Sequence, residues 1–117
     1  MKKPSKRQLT TLKAIAARLE FLGTNCQLVG LDGGRAGIAA LGFAGYLEAR
    51  NYREIGCRNS FEALFGRQPT LSESASHART IRQLNDAGFI EAHRENVRIS
   101  HVWLSLAGQQ ALQDATA

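Results

Sequence analysis

The chain has 117 residues, of which 44% are hydrophobic and 21% are charged; this ordinary globular composition excludes a disordered chain. The two cysteines, Cys26 and Cys57, are too few for a disulfide-rich scaffold. Gly, Arg, Glu or Asp interrupts every apolar run before it reaches membrane-spanning length. The basic N-terminus leads into an amphipathic helix pattern and not into the continuous apolar stretch of a secretion signal. We therefore expect a single domain over residues 1–117, in the cytoplasm and associated with the nucleoid, with both thiols reduced and no membrane partner.

The positive charge is concentrated at the N-terminus. Residues 1–20 contain six lysines and arginines and one acidic residue, Glu20, so this segment carries the whole net charge of +5. A basic segment suits a phosphate backbone, because each neutralised phosphate releases counterions. A solubilising helix face has the same composition, so charge alone leaves both interpretations open.

The first half of the chain is predicted to be largely helical. Ser5 is a suitable N-cap for a basic helix within residues 1–22 that Gly23 ends. Residues 24–31 are predicted as a loop or a short strand, followed by a turn at Asp32-Gly33-Gly34. A second helix is predicted over residues 35–50, where one of three glycines marks either a close helix approach or a break.

The second half has a different order of elements. Ser60 caps a short helix over residues 61–65 that ends at Gly66, and a longer helix is predicted over residues 72–87, ending at Gly88. Residues 89–93 and 97–106 are predicted strands of a hairpin that turns at residues 94–96, before a last helix within residues 107–114. The helix 72–87 is expected to turn one stripe to the core, and three aromatic residues are also expected there; these positions are Leu71, Ala75, Ala78, Ile81, Leu84, Phe61, Phe65 and Trp103, the last packed against this helix.

Two passages resemble the MarR-type winged-helix regulators of bacteria. His77–Ile90 is similar to the end of their recognition helix, with Arg79 at the matching arginine and Ala78 where that family usually has serine. Ser105–Leu112 resembles their passage from the wing into the next helix. The resemblance, over residues 61–112, implies a mainly α protein with a small β-hairpin (α+β), a winged helix-turn-helix over residues 60–88 with a wing at 89–106, and a role in transcription regulation.

A winged helix-turn-helix implies double-stranded DNA as the partner, with the helix 72–87 in the major groove. Arg79 is the first candidate for reading bases, since arginine pairs with guanine, and Gln83 and His77 come next. Short serines near the helix start allow close approach, while free N–H groups there would bind phosphate. The predicted DNA-binding residues are Arg67, Gln68, Ser72, Ser74, Ser76, His77, Arg79, Thr80, Gln83 and, at the wing, Arg94, Asn96 and Arg98.

No pattern in the sequence predicts a cofactor, a metal site or an enzyme. The glycine-rich residues 30–37 lack the Gly-Lys-Ser/Thr ending of a P-loop. The histidines at 77, 93 and 101 have no metal-ligand spacing. Three alternatives stay open: a winged helix that contacts protein in a phage or plasmid replication or partition complex, a sensor responding to a ligand or oxidant near Cys26 or Cys57, and an enzyme. A homodimer is expected through the N-terminal and C-terminal helices, because regulators commonly occupy two half-sites.

Overall fold

The computed structural model describes residues 3–116, which form a mainly helical protein with a small antiparallel sheet, as the α+β prediction required. The helices are α1 (Lys6–Asn25), α2 (Arg35–Ile55), α3 (Phe61–Phe65), α4 (Leu71–Asp86) and α5 (Leu106–Thr116). The strands are β1 (Cys57–Arg58), β2 (Ile90–Glu95) and β3 (Arg98–Leu104), and a 3₁₀ segment, Cys26–Gly34, joins α1 to α2.

Helix α1 begins where the sequence predicted and ends later. Ser5 and Gln8 form a reciprocal capping box, with Ser5 Oγ accepting from the Gln8 backbone N–H at 3.2 Å. The predicted end at Gly23 is wrong, because the helix continues to Asn25. Thr24 and Asn25 donate side-chain hydrogen bonds to the carbonyls of Glu20 and Phe21, which supports this last turn.

The segment between α1 and the end of α2 contains a turn and a break. Residues 24–31 contain no strand. The turn predicted at residues 32–34 is confirmed by positive φ angles of 51° at Asp32, 61° at Gly33 and 92° at Gly34. Helix α2 runs past the predicted residue 50 to Ile55 and is broken at Gly42, where φ is 75° and ψ is 166°. Gly37 lets the two parts of α2 on either side of this break approach each other closely, since a Cβ at residue 37 would lie 2.9 Å from a ring carbon of Tyr46.

The three strands form one sheet in the order β1-β3-β2, with both pairs antiparallel. The predicted hairpin is confirmed with shorter strands, and Asn96 adopts a positive φ of 58° at its turn. Strand β1 was not predicted; it pairs Cys57 with Val102 across the sheet. Two residues are too few to show the alternation by which a strand is recognised.

The core forms around α1, which packs on α2, α3, α4, α5, β1 and β3. Leu12, Ile15 and Leu22 of α1 are fully buried against residues from the other elements, namely Ala49, Cys57, Ile81, Leu84, Phe89, Ile90 and Val102. The side of α1 that carries these three residues is thus covered by its own chain, whereas Phe21 of the same helix is 40% exposed. A dimer through α1 stays a prediction.

Several predicted core positions are wrong. Leu71 is 93% exposed and Ala75 and Ala78 are also exposed, because the buried side of α4 is centred on Thr80, Ile81 and Leu84. The aromatic residues at 61 and 65 are half-buried on α3. Trp103 is half-buried too, and it lines a cleft with residues of α1, α2 and α5 instead of packing on α4; these are Ala16, Leu19, Tyr52, Arg53 and Gln109.

Among residues 3–116, no helix is both long enough and apolar enough to cross a membrane.

Candidate nucleic-acid interface

Helix α3 is followed after a five-residue connection, residues 66–70, by α4, much of which lies at the surface. Gly66 ends α3 in the left-handed conformation, with φ of 73°. Thr70 then caps α4, with its Oγ1 accepting from the Glu73 backbone N–H at 3.1 Å. Burial of Ile81 and Leu84 fixes the rotation of α4 about its axis, and this determines which side chains point to solvent.

The outward side of α4 carries two arginines among small residues. Ala75, Ala78, Arg79 and Arg82 are all exposed, and their spacing of three and four residues places them on one helix face. We define these four residues as the α4 outer face. Arg79 was predicted for this face, whereas Arg82 was missed, although its position three residues after Arg79 was a usable signal.

The start of α1 lies beside α4. Arg7 Nη1 donates to Ser76 Oγ at 2.5 Å, and Gln8 Nε2 lies 3.4 Å from Gln83 Oε1. Ser76 is therefore half-buried beneath α1, while Gln83 is exposed at the edge of the α4 outer face. The structure thus brings Arg7, one of the cations of the basic segment, next to the exposed arginines of α4, a proximity that the sequence alone did not indicate.

Two predicted contact residues point into the protein. Thr80, predicted to bind DNA, is only 3% exposed, and its Oγ1 donates to the Ser76 carbonyl at 2.9 Å, so its side chain is not on the outward side of α4. His77 is half-buried, 2.9 Å from Asn59 Oδ1, with its ring edge-on to Phe61 at a centroid distance of 5.9 Å. Burial lowers the pKa of His77, which favours the neutral ring. His77 therefore positions α4 on α3 and does not face solvent as a base reader.

One acidic residue, Glu73, occupies the first turn of α4. The Glu73 carboxylate accepts from the Thr70 backbone N–H at 3.0 Å and from Arg67 at 2.5 and 2.8 Å. These hydrogen bonds, that from Arg67 first, lower the pKa of Glu73 to about 2. Arg67 also lies 4.9 Å above the Phe61 ring, and Gln68 donates to Glu62 at 2.8 Å. The expectation of free N–H groups at this terminus is therefore wrong for the Glu73 amide, which is capped by Thr70. Arg67 is paired with Glu73 but its side chain is 57% exposed, and its contact with DNA stays a prediction.

The remaining predicted residues of α4 are exposed. Ser72 and Ser74 lie on its first turn, Ser72 on the side of Arg79. Their short side chains leave the backbone of this turn accessible, as close approach to a phosphate chain would require.

The hairpin turn presents the predicted wing residues to solvent. Arg94, Asn96 and Arg98 are exposed, and Arg94 Nη1 donates to the Val97 carbonyl across the turn at 3.1 Å. Glu91 and Glu95 are exposed on the same hairpin and reduce its positive charge. The hairpin is accordingly a weaker electrostatic feature than the α4 outer face with the start of α1.

The cysteines and histidines form no site of their own. Within residues 3–116, no group of three or more metal-ligating side chains comes together. Cys57 is buried, and burial, followed by the nearby Glu48 carboxylate, raises the pKa of its thiol to about 12. Cys26 is half-buried, with its thiol 3.2 Å from the Gly23 carbonyl.

Comparison of the chain with protein-family models, with curated proteins and with solved structures gave no match.

Proposed function

We propose that the protein binds double-stranded DNA as a winged helix-turn-helix, with α4 in the major groove and the β2–β3 hairpin as the wing. The order β1, α3, α4, β2, β3 and the sheet order β1-β3-β2 support this assignment. A helix of the length of α4, exposed along one side, has the shape that the major groove admits.

The α4 outer face is the observation that carries the proposal. Within the described part of the chain, neither Arg79 nor Arg82 has an ion pair, in contrast to Arg18, Arg58 and Arg67. Both guanidinium groups are therefore available to a ligand, and arginine is the residue that most commonly contacts guanine in the major groove. Ala75 and Ala78, which precede them on the same face, are small enough to let the helix backbone approach base edges.

The start of α1 adds phosphate contacts to this surface. Its hydrogen bonds to Ser76 and Gln83 place Arg7 and Lys6 at the side of α4. Basic side chains beside an inserted helix contact the phosphates that flank the groove and fix the register of the helix. We further assign the protein to transcription regulation, on the resemblance of residues 61–112 to MarR-type regulators.

A salt titration of binding to random-sequence duplex DNA tests the proposal. The logarithm of the association constant should fall linearly with the logarithm of the salt concentration, because binding releases counterions from the phosphates. Arg79→Glu should weaken binding at least about tenfold, since it removes a contact and adds repulsion.

Arg53→Glu is the matched control, because it makes the same change of charge at an exposed arginine of α2. It should lower affinity much less than Arg79→Glu does. Equal losses would show unspecific attraction to a basic protein, without a role for α4. No binding by the unmodified protein at low salt would contradict the proposal and favour a winged helix that contacts protein.

A further inference from the structure

Helix α4 presents only a few side chains that are long enough to reach into a groove. Of its residues, all of which the structure describes, the exposed ones larger than serine are Leu71, Arg79, Arg82, Gln83 and Asp86. Leu71 begins the helix and has no hydrogen-bonding group, and Asp86 ends it with a carboxylate that phosphates would repel. Base edges opposite the middle of α4 would therefore meet Arg79, Arg82 and Gln83.

The geometry of the helix holds Arg79 and Arg82 side by side. Helix α4 contains no residue with positive φ, in contrast to α2, which is broken at Gly42. Residues three apart in such a helix lie on the same side, with Cβ atoms about 5–6 Å apart. A rise of 1.5 Å per residue separates the two by about 4.5 Å along the helix axis. The two guanidinium groups therefore start from adjacent points of one exposed surface.

The exposed polar side chains of this part of α4 differ in how far the protein engages them. Gln83 Oε1 accepts from Gln8 Nε2 of α1 at 3.4 Å, so this amide is held at the edge of the face. Asp86 lies four residues after Arg82, at the spacing of a helical ion pair, yet the two form none in the described part of the chain. Arg79 and Arg82 are thus the long side chains that remain available to a ligand.

A guanidinium group distinguishes guanine from the other bases in the major groove. It carries donors only, and two parallel N–H groups match the adjacent O6 and N7 acceptors of guanine. Adenine pairs its N7 acceptor with an amino donor, cytosine presents an amino donor, and thymine presents one acceptor beside a methyl group. Guanine is therefore the base that satisfies each arginine with two hydrogen bonds.

The separation of the two arginines fits neighbouring base pairs. Successive base pairs lie about 3.4 Å apart along the duplex, close to the axial distance of about 4.5 Å between the two residues. Ala75 and Ala78 on the same face have no polar side-chain group. The base pairs opposite these alanines are therefore not selected by side-chain hydrogen bonds.

We propose that Arg79 and Arg82 select two neighbouring G·C base pairs, each arginine binding one guanine, in the preferred DNA site of this protein. The inference rests on the proposed function, because it requires α4 to lie in the major groove. It makes Arg82 a specificity-determining residue beside Arg79, and it limits selection by α4 to a short core of the site.

Selection of bound duplexes from a random-sequence library by the full chain tests the inference. The enriched site should contain two neighbouring G·C pairs. Replacing either pair by A·T should lower the affinity by about 5- to 100-fold, the range expected for the loss of one bidentate base contact. Replacing either guanine by 7-deazaguanine, which lacks only the N7 acceptor, should also lower the affinity, and this measurement needs no protein variant.

Lysine variants assign each base pair to its arginine. Arg82→Lys keeps the charge but loses the two-pronged donor, so it should keep the salt dependence and lose the preference at one of the two pairs. Arg79→Lys should lose the preference at the other pair. Arg53→Lys, at an exposed arginine of α2, is the matched control and should leave both preferences unchanged.

The outcomes separate this inference from the proposed function. Binding without sequence preference, or an enriched site without neighbouring G·C pairs, would overturn the inference and leave DNA binding intact. So would lysine variants that keep both preferences, or a 7-deazaguanine duplex that binds as tightly as the unmodified one. Failure of the unmodified protein to bind any duplex at low salt would instead contradict the proposed function, and the inference with it.

Discussion

Replacing Glu48 by glutamine should strongly destabilise the protein. The Glu48 side chain is fully buried, and it accepts hydrogen bonds from Arg18 of α1 at 2.5 and 3.1 Å. It also accepts from the Arg58 side chain at 2.9 Å and from the Arg58 backbone N–H at 3.0 Å. One carboxylate thus ties α1, α2 and β1 together.

The size of the effect follows from what the substitution leaves behind. Glu48→Gln keeps the volume but leaves two partly buried arginines, with side chains 18% and 33% exposed, facing a neutral amide. Breaking a buried ion pair on one side costs about 3–5 kcal/mol. For a domain of about 100 residues this corresponds to a melting temperature lowered by roughly 12–20 °C.

The pH dependence of the effect has a definite sign. Burial raises the pKa of Glu48, but the hydrogen bonds and charges of Arg18 and Arg58 outweigh burial, so its pKa lies below the ordinary value. A lowered pKa contributes stability above the unfolded value of about 4.3, and this stability is lost as the pH falls through the folded pKa. The difference between the unmodified protein and Glu48→Gln should therefore be full at pH 7 and shrink in acid.

Thermal and urea unfolding at several pH values measure this difference, with Glu54→Gln as the control, an exposed glutamate of the same helix. The control should melt like the unmodified protein. A Glu48→Gln variant that also melts within about 2 °C of it at pH 7 would refute the reasoning, since such a shift corresponds to well under 1 kcal/mol.

Three further predictions follow from local geometry. Gly108→Ala should lower the free energy of unfolding by about 1–3 kcal/mol, because its Cβ would lie 2.0 Å from the Phe89 carbonyl oxygen. Urea titration measures this loss, with Gly30→Ala as the control, since a Cβ at residue 30 would have nothing within 4 Å. Equal effects of the two substitutions would contradict the close packing at Gly108. In the native protein at pH 7–9, an aromatic disulfide reagent should label Cys26 quickly. It should label Cys57 only on unfolding, because this thiol is buried and burial raises its pKa to about 12. Two equally fast thiols would be inconsistent with the buried position of Cys57. Thr70→Ala should lower the free energy of unfolding by about 1 kcal/mol, because it removes the N-cap of α4. Ser72→Ala, in the first turn of the same helix, should lower it much less. Thermal unfolding compares the two variants, and the reverse order would exclude Thr70 as the cap.

The helix starts and turns were predictable because single residues determine them. Ser5 and Ser60 cap the helices that follow, as predicted, and Gly66 and Gly88 take positive φ where chain direction changes. Such local signals act over a few residues and do not depend on the rest of the fold. The end of α1 was missed because a glycine inside a helix only weakens it, and side chains that bond back to the helix carried it two residues further.

The rotation of α4 could not be obtained from its apolar residues alone. The sequence places Leu71 on the same stripe as Ile81 and Leu84, but Leu71 begins the helix and is 93% exposed. Thr80 takes a core position because its hydroxyl is satisfied by the Ser76 carbonyl, so a polar residue is buried at little cost. This rotation brought Arg82 onto the outer face and moved His77 inward.

The contacts between α1 and α4 were beyond sequence reasoning for a different reason. Arg7 and Ser76 are 69 positions apart, and only the packing of α1 in the centre of the fold brings them together. The basic segment was recognised from its composition, but its place beside α4 is a property of the tertiary structure.

Amide chemical-shift mapping with a short random-sequence duplex tests the central claim most directly. We predict that added duplex shifts the resonances of α4 around Ala75–Arg82 and of the first turn of α1, with smaller shifts at the hairpin turn and none in α2. Shifts confined to α2 and the 3₁₀ segment, or no shifts at low salt, would contradict the claim that the α4 outer face binds DNA.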